Sequence, residues 1–121
     1  MPAGRSVFVV DDEPVICNTL VAILKHSGYK AEGYEDPVVA VEAARGTSPD
    51  LLLTDVMMPG MNGVELAIHF QNFHPRCKVL LFSGAAESAD LLADARSRGY
   101  ELDLLAKPVP PSELLEKLME L

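Results

Sequence analysis

Four short clusters of reactive side chains stand out along the chain. Carboxylates occur at Asp11-Asp12-Glu13 and again at Asp55, a hydroxyl occurs at Ser83, and an ammonium group occurs at Lys107. Oxygen ligands without a thiolate or imidazole nearby suit Mg²⁺, Mn²⁺ or Ca²⁺. A carboxylate nucleophile, a hard divalent ion, an ammonium group and a hydroxyl together meet the needs of phosphoryl transfer, because the transferred group carries negative oxygens. These residue types therefore indicate a phosphate site, provided that the fold brings them together.

Each cluster taken alone also has an ordinary structural explanation. Acids ahead of Pro14 commonly cap a helix, because an Asp oxygen can accept from free N–H groups and its charge suits the positive end of the dipole. Asp55 before an irregular segment would be a turn residue, Ser83-Gly84 a plain turn, and Lys107 a solvated cation. The single clusters leave these alternatives open, and only the combination favours a site.

Apolar runs of strand length precede the four clusters. The predicted strands are Ser6–Val10, Leu51–Thr54, Lys78–Phe82 and Leu102–Ala106, with a weaker candidate at Tyr29–Tyr34. Most of these runs are solid Val, Leu and Phe and do not alternate with polar residues. Solid runs are typical of parallel strands that helices cover on both faces.

Segments of helical period separate the strands. Their predicted positions are Pro14 to a cap at Gly28, Pro37–Arg45, Val64–His74, Ser88–Arg98, and a last helix after Pro110-Pro111. Strict alternation with short connections predicts an α/β fold, (βα)5, with a doubly wound five-stranded parallel sheet. Ligands bind such sheets beyond the carboxyl ends of the strands, so all four clusters are expected at one edge.

Convergence of the acids would carry an electrostatic cost. Three carboxylates about 4–5 Å apart repel by roughly 3–4 kcal/mol per pair at an effective dielectric constant of about 20. The predicted fold therefore needs a compensating cation at this edge. Mg²⁺ held by one or two carboxylates, with waters that a phosphate can replace, is the usual arrangement where phosphoryl groups are transferred.

Composition narrows the class of protein. The 121 residues, 49% of them hydrophobic, predict a single domain over residues 1–121. A formal net charge of −8 argues against binding of nucleic acid by this domain. No apolar run approaches the roughly 20 residues of a membrane span and no signal peptide is evident, so we expect a soluble cytoplasmic chain without membrane contact. Cys17 and Cys77 are predicted to be buried, reduced thiols.

The order of the clusters resembles a known family. An Asp pair follows the first strand, and Asp-x-x-Met-Pro-Gly-x-x-Gly follows the third, here from Asp55 to Gly63. Ser83 follows the fourth strand, and Lys107-Pro108 follows the fifth. From Arg5 to the C-terminus, this pattern is similar to the receiver (response regulatory) domain of bacterial two-component systems, the CheY-like superfamily. The resemblance implies a flavodoxin-like sheet with strand order 2-1-3-4-5.

The resemblance also implies a role for each site residue. Asp55 would be the phosphoacceptor, which attacks a phosphohistidine to give an acyl phosphate. Mg²⁺ (or Mn²⁺) would be bound by Asp12 and Asp55, by Asp11 partly through water, and by the backbone carbonyl of Met57. Lys107 would bridge to the phosphoryl oxygens, Ser83 would turn inward to hydrogen-bond one of them, and a cis bond between Lys107 and Pro108 would aim the lysine inward.

The implied partners are a sensor histidine kinase or a phosphotransfer protein upstream and an unidentified effector downstream. The fourth helix, fifth strand and fifth helix form the family's common output and dimerisation face, so a homodimer through that face is expected at family level only. The chain would catalyse its own phosphorylation and dephosphorylation and would not otherwise be an enzyme.

Two departures from the family pattern alter what is expected. Leu104 stands where relatives carry a Tyr or Phe that turns inward with the hydroxyl, so output is expected through the loop Gly84–Glu87 and the helix that begins near Ser88. Met57 and Ala85 stand two residues beyond Asp55 and Ser83, where relatives with short-lived phosphates place polar side chains. We therefore expect slow hydrolysis of the phosphorylated form.

Other functions fit the sequence less well. A degenerate receiver that only docks a protein is the main alternative, although the acid, hydroxyl and lysine positions are all filled. A phosphatase of the haloacid-dehalogenase type would need a D-x-D spacing that Asp11-Asp12-Glu13 lacks. Neither a G-x-G-x-x-G nor a G-x-x-x-x-G-K-[ST] motif supports a nucleotide carrier. The histidines, His26, His69 and His74, lie on or at the ends of helices and are interpreted as solvated or edge residues.

Overall fold

The computed structural model describes residues 4–84, 88–107 and 109–121, and strands and helices alternate through them. In chain order the elements are β1 (Ser6–Val10), α1 (Pro14–His26), β2 (Lys30–Tyr34), α2 (Pro37–Gly46), β3 (Leu51–Asp55), α3 (Gly63–Phe73), β4 (Lys78–Ser83), α4 (Ser88–Ser97), β5 (Asp103–Ala106) and α5 (Pro111–Glu120). The predicted (βα)5 order is confirmed, and the predicted bounds of most elements agree with the structure to within one residue at each end.

The five strands form one parallel sheet in the order β2-β1-β3-β4-β5, as predicted. The register places Asp55 beside Phe82 and Ser83 beside Ala106. Both Asp55 and Ser83 are the last residues of their strands, whereas the sequence patterns ended each strand one residue earlier. The carboxyl ends of β1, β3, β4 and β5 therefore meet at one edge.

Two hydrophobic cores lie on opposite faces of the sheet. Val7 and Val9 of β1 pack with Leu51 and Leu53 of β3 against α1 and α5. The alternate residues of the same strands pack against α2, α3 and α4. Because side chains alternate along a strand, Asp11 and Asp55 continue the series that faces α1 and α5, so both acids point to the same side of the sheet.

Local sequence explains where the helices start and stop. Pro14 occupies the first turn of α1, and Gly28 takes a φ of +97° just beyond its end, a conformation that glycine adopts without steric cost. The Asp36 side chain accepts from the Val38 N–H at 2.9 Å to cap α2. Asn62 caps α3 through the Glu65 N–H, also at 2.9 Å.

The solid apolar runs predicted strands covered on both faces, and for β5 this prediction is wrong. Of its four residues only Leu105 is buried, and Leu104 is 37% exposed. The reason is that β5 is the last strand of the sheet and α4 buries only Ser88 and Ala95.

Both cysteines are free and buried, as predicted. Within the described ranges, no helix combines the length and apolar character needed to cross a membrane.

Candidate functional site

Three carboxylates converge at the carboxyl edge of the sheet. One oxygen each of Asp11, Asp12 and Asp55 lies within 4.8 Å of the others. Asp11 is fully buried and Asp55 is 7% exposed, whereas Asp12 lies closer to solvent. The predicted convergence of the acids is therefore present, with two of the three charges largely removed from water.

Asp11 is fixed by the backbone that follows it. Its Oδ1 accepts from the Glu13 N–H at 2.9 Å, while Glu13 itself, at the N-cap position of α1, makes no side-chain capping bond. The acids ahead of Pro14 thus do not cap the helix in the usual way, and Asp11 instead forms a local turn. This bond leaves Oδ2 of Asp11 to face the other charged groups.

Burial raises the pKa of Asp11, because desolvation disfavours its charged form. The Glu13 N–H and the Lys107 ammonium act in the opposite direction, and the nearby charges of Asp55 and Asp12 raise the pKa further. The direction of this shift means that the ionised form is held at some cost to the fold. A cation at the site would relieve that cost.

Lys107 supplies one such charge. Its Nζ lies 3.3 Å from Oδ2 of Asp55 and 3.6 Å from Oδ2 of Asp11. The ammonium group also lies 4.9 Å from the centre of the Phe82 ring, a cation–π distance that limits where it can swing. The Lys107 N–H donates to the Ser83 carbonyl at 3.1 Å, so the strand end holds the lysine's main chain.

One lysine does not complete the coordination of the acids. Oδ2 of Asp11 has no hydrogen-bond partner among the described residues, since its 3.6 Å separation from Nζ of Lys107 is an ion-pair distance and too long for a hydrogen bond. A buried charged oxygen without a partner is costly, and three oxygen donors in reach of one another are the ligands of a hard ion. Two ligands of one Mg²⁺ are at most about 4.2 Å apart, so a spacing of up to 4.8 Å needs only a sub-ångström adjustment. The residues fit Mg²⁺.

The remaining predicted site residues occupy the same edge. Ser83 is 6% exposed and immediately follows Phe82, the partner of Asp55 in the register. The Met57 side chain is 43% exposed in the loop after β3, and the role of its carbonyl stays a prediction. The predictions for Ala85, for the loop through Glu87 and for the bond to Pro108 fall outside the described residues.

Three contributors to the site were not predicted from sequence as such. Phe82 lies beneath the lysine, Thr54 donates from its hydroxyl to the Asp55 carbonyl at 3.0 Å, and Gly63 packs against that same carbonyl. Gly63 was visible as the last letter of the motif that follows Asp55, but its contact depends on how the loop closes. The ring and hydroxyl contacts left no signal in the spacing.

Comparison with known proteins agrees with this geometry. A family model described as the response regulator receiver domain matches residues 7–119. Transcriptional regulatory protein CreB of Escherichia coli is 32% identical over 97% of this chain and 50% of its own length. Chemotaxis protein CheY of Thermotoga maritima is 29% identical over 95% of each chain. The crystal structure of response regulator protein TrrA from Thermotoga maritima, in complex with Mg²⁺-BeF, superimposes with a TM-score of 0.82 at 27% identity, covering 96% of this chain and 97% of that one.

The match extends over almost all of this chain but over only part of several relatives. This chain spans half or less of the length of the first curated relatives, down to 26% for one of them. The similarity therefore concerns only part of those longer proteins. By the family model, the sheet order and the residues at the strand ends, the chain belongs to the response regulator receiver domain family of two-component systems.

Proposed function

We propose that this chain is a phosphorylation-dependent signalling switch in a two-component phosphorelay, with Asp55 as the phosphoacceptor. The single observation that carries the proposal is the position of the Asp55 carboxylate, 3.3 Å from the Lys107 ammonium and within one cluster with Asp11 and Asp12. The upstream partner we propose is a sensor histidine kinase or a phosphotransfer protein, because a phosphohistidine is the donor that such a site accepts.

The proposed reaction is an in-line displacement at phosphorus. An oxygen of Asp55 forms a bond to phosphorus as the bond between phosphorus and the donor's imidazole nitrogen breaks, and that nitrogen keeps the electron pair. Lys107 is close enough to Asp55 to donate a hydrogen bond to a phosphoryl oxygen once the group is attached. The product is an acyl phosphate on Asp55.

Mg²⁺ held by Asp11, Asp12, Asp55 and the Met57 carbonyl would neutralise negative charge on the phosphoryl oxygens. The residues themselves contribute orientation. The bond from the Glu13 N–H fixes one oxygen of Asp11 and aims the other at the site. The low exposure of Asp55 removes much of the water that would otherwise solvate its nucleophilic oxygen.

The proposed output begins at Ser83. Its hydroxyl would turn to donate to a phosphoryl oxygen, and the chain beyond Ser83 leads into α4. Only Ser88 and Ala95 of α4 are buried, so a shift of this helix sacrifices little packing. Leu104, 37% exposed on β5, takes the place of the aromatic switch residue of relatives, which is consistent with output through α4. The face formed by α4, β5 and α5 is the surface we propose to change and, on activation, to form a homodimer.

The decisive experiment adds acetyl phosphate and Mg²⁺ and follows the intact mass. We expect the wild-type chain to gain one phosphoryl group and the Asp55→Asn variant to gain none. Asp90→Asn, at an exposed position on α4, is the matched control and should be modified like the wild type. Beryllofluoride with Mg²⁺ should shift amide NMR signals of α4 and β5 in the wild type only.

Each result separates the alternatives. A chain that acts purely as a docking module would show neither the mass change nor the NMR shifts. An enzyme that hydrolyses acetyl phosphate at another group would still consume it in the Asp55→Asn variant, whereas in the switch we propose all consumption depends on phosphorylation and hydrolysis at Asp55. Equal modification of the Asp55→Asn variant would refute the assignment of the phosphoacceptor.

A further inference from the structure

The loop that leaves Asp55 returns to the same strand end. After β3 the chain runs through residues 56–62, and α3 begins at Gly63. The Gly63 N–H donates to the Val56 carbonyl at 2.8 Å, which closes the loop one residue beyond the acidic side chain. The first residue of α3 therefore lies directly against the main chain of Asp55.

Gly63 leaves no room for a side chain at this contact. A Cβ atom built on Gly63 would lie 1.9 Å from the Asp55 carbonyl oxygen, 2.8 Å from its carbonyl carbon and 2.9 Å from the Cα of Val56. All three are backbone atoms, which cannot rotate away as the end of a side chain can. Optimal non-bonded contacts are about 3.5–4.0 Å, so a side chain here would force the strand end and the helix apart by about an ångström or more.

The requirement at Gly63 is for space and not for an unusual backbone conformation. Its φ is not among the positive values, which occur at other glycines such as Gly28 and Gly60. An alanine could therefore adopt the local backbone of Gly63, and the three nearest atoms that its Cβ would meet belong to the main chain of Asp55 and Val56. The substitution Gly63→Ala would therefore perturb the main chain of the phosphoacceptor Asp55 specifically.

Further bonds hold the same peptide and the start of the helix. The hydroxyl of Thr54, which is fully buried, donates to the Asp55 carbonyl at 3.0 Å. The Asn62 amide donates to the Glu65 carboxylate at 2.8 Å while its oxygen caps the helix, so the first turn of α3 is held in its helical form. The carbonyl of Asp55 is thus held by the Thr54 hydroxyl and by the close approach of Gly63, the first residue of α3.

We propose that Gly63 is a positioning residue for the phosphoacceptor: its close approach to the Asp55 carbonyl, together with the Thr54 hydroxyl, sets where the Asp55 carboxylate lies relative to Asp11, Asp12 and Lys107. This inference rests on the proposed function of Asp55. A displacement of the main chain behind the acid would matter because the carboxylate must serve a metal ion and an ammonium group at once.

The test compares Gly63→Ala with Gly46→Ala. A Cβ at Gly46 would meet nothing within 4 Å and its φ is not positive, so this variant controls for the loss of a glycine. Mg²⁺ affinity is measured by calorimetry, and the phosphorylation rate is measured with acetyl phosphate at saturating Mg²⁺. Both are taken at a temperature where circular dichroism shows the variant folded. We expect Gly63→Ala to weaken Mg²⁺ binding and to slow phosphorylation by at least tenfold each, and Gly46→Ala to stay within twofold.

A folded Gly63→Ala chain with both values within twofold of wild type would overturn the inference. If that variant does not fold, Thr54→Val and Thr54→Ser decide. Removal of the hydroxyl should weaken Mg²⁺ binding about threefold and the serine should restore it, whereas equal affinities for wild type and both variants would reject the inference. A wild-type chain that binds Mg²⁺ but takes no phosphoryl group would refute the proposed function. The inference about Gly63 would then be tested by the Mg²⁺ affinities alone.

Discussion

Nζ of Lys107 lies 3.3 Å from Oδ2 of Asp55 and 3.6 Å from Oδ2 of Asp11, so the lysine is closer to Asp55. The lysine follows β5 and the aspartate ends β3, so the pair spans the intervening strand β4. An ammonium group in this position pairs with the Asp55 carboxylate and can donate a hydrogen bond to a phosphoryl oxygen once that group is attached. The same charge also repels any divalent ion bound to the acids.

Replacement of Lys107 by Ala should separate metal binding from phosphoryl transfer. Loss of the positive charge removes its repulsion of Mg²⁺, so we expect Mg²⁺ affinity to rise severalfold. Loss of the hydrogen-bond donor removes stabilisation of the phosphoryl oxygens, so phosphorylation by acetyl phosphate should slow by about tenfold or more. Calorimetry and intact mass measure the two effects. Lys25→Ala, at the far end of α1, should change neither, and a wild-type rate for Lys107→Ala would contradict this role.

Asp11 should make the stability of the metal-free chain fall with rising pH. Its pKa is raised in the folded state above the ordinary value of 3.8, mainly by burial, so between those two values the folded chain binds more protons than the unfolded chain. The penalty is therefore absent well below pH 3.8, grows as the pH rises from 3.8 to the raised pKa, and is complete above it. Asp11→Asn removes the charge and keeps the shape.

We expect Asp11→Asn to be more stable than wild type in EDTA at pH 7.5, by on the order of 1 kcal/mol, because a buried charge is replaced by a neutral amide. The difference should shrink as the pH is lowered toward 4. Urea unfolding at several pH values measures it, with Asp90→Asn as the exposed control. With Mg²⁺ present the order should reverse, since the variant loses a ligand. A difference that does not change with pH would refute the burial argument.

The fold was predictable because the pattern that encodes it is local. Solid apolar runs such as Val7–Val10 and the punctuation by Pro14, Gly28 and Pro37 specify alternating strands and helices, and alternation dictates a parallel sheet with one ligand-binding edge. The convergence of Asp11, Asp12 and Asp55 also requires β1 to lie beside β3, an order that the family resemblance implied and the structure shows. The sequence therefore predicted which side chains meet but not the distances between them.

The parts that were not predicted depend on contacts between distant segments. The exposure of Leu104 reflects how little of α4 covers β5, and a solid apolar run gives no sign of that. The contact of Gly63 with the Asp55 carbonyl depends on the closure of a loop, and the ring of Phe82 beneath Lys107 depends on the register of β4. Side-chain type predicts chemistry well, but backbone proximity and ring placement arise only in the folded chain.

The phosphorylated form should be long-lived because Met57 offers an attacking water no strong hydrogen-bonding group. Met57, two residues beyond Asp55, is 43% exposed, and a thioether is too weak a hydrogen-bond acceptor to orient an attacking water. Replacement of Met57 by Asn together with Ala85 by Glu should speed dephosphorylation by about tenfold, or about 1.4 kcal/mol of barrier. The loss of phosphate after removal of the donor measures the rate. Met119→Asn, at an exposed position on α5, is the matched control. An unchanged dephosphorylation rate in the double variant would reject this explanation of a long-lived phosphate.

His69 should make the folded chain less stable in mild acid. Its ring lies 4.6 Å from the exposed ring of Phe73 on α3, and burial, followed by the charges of His74 and Arg45, lowers its pKa below the ordinary value of 6.5. The unfolded chain therefore takes up the proton first as the pH falls through 6.5, and stability is lost from there down to the lowered pKa. Above 6.5 the histidine is neutral in both states and has no effect.

The measurement is the free energy of unfolding in urea at pH 7.5, 6.5 and 5.5 for wild type, His69→Gln and His26→Gln. His69→Gln loses the ring contact at every pH, which lowers stability by a constant amount, but it should lose less further stability between pH 7.5 and 5.5 than wild type does. His26 is exposed at the end of α1, so His26→Gln is the matched control for the exchange of a histidine by glutamine. Parallel pH profiles for wild type and His69→Gln would show that the surroundings of His69 do not oppose its charge. Because His69 lies on α3 and not in the carboxylate cluster, the slope can be tested in EDTA without interference from bound metal.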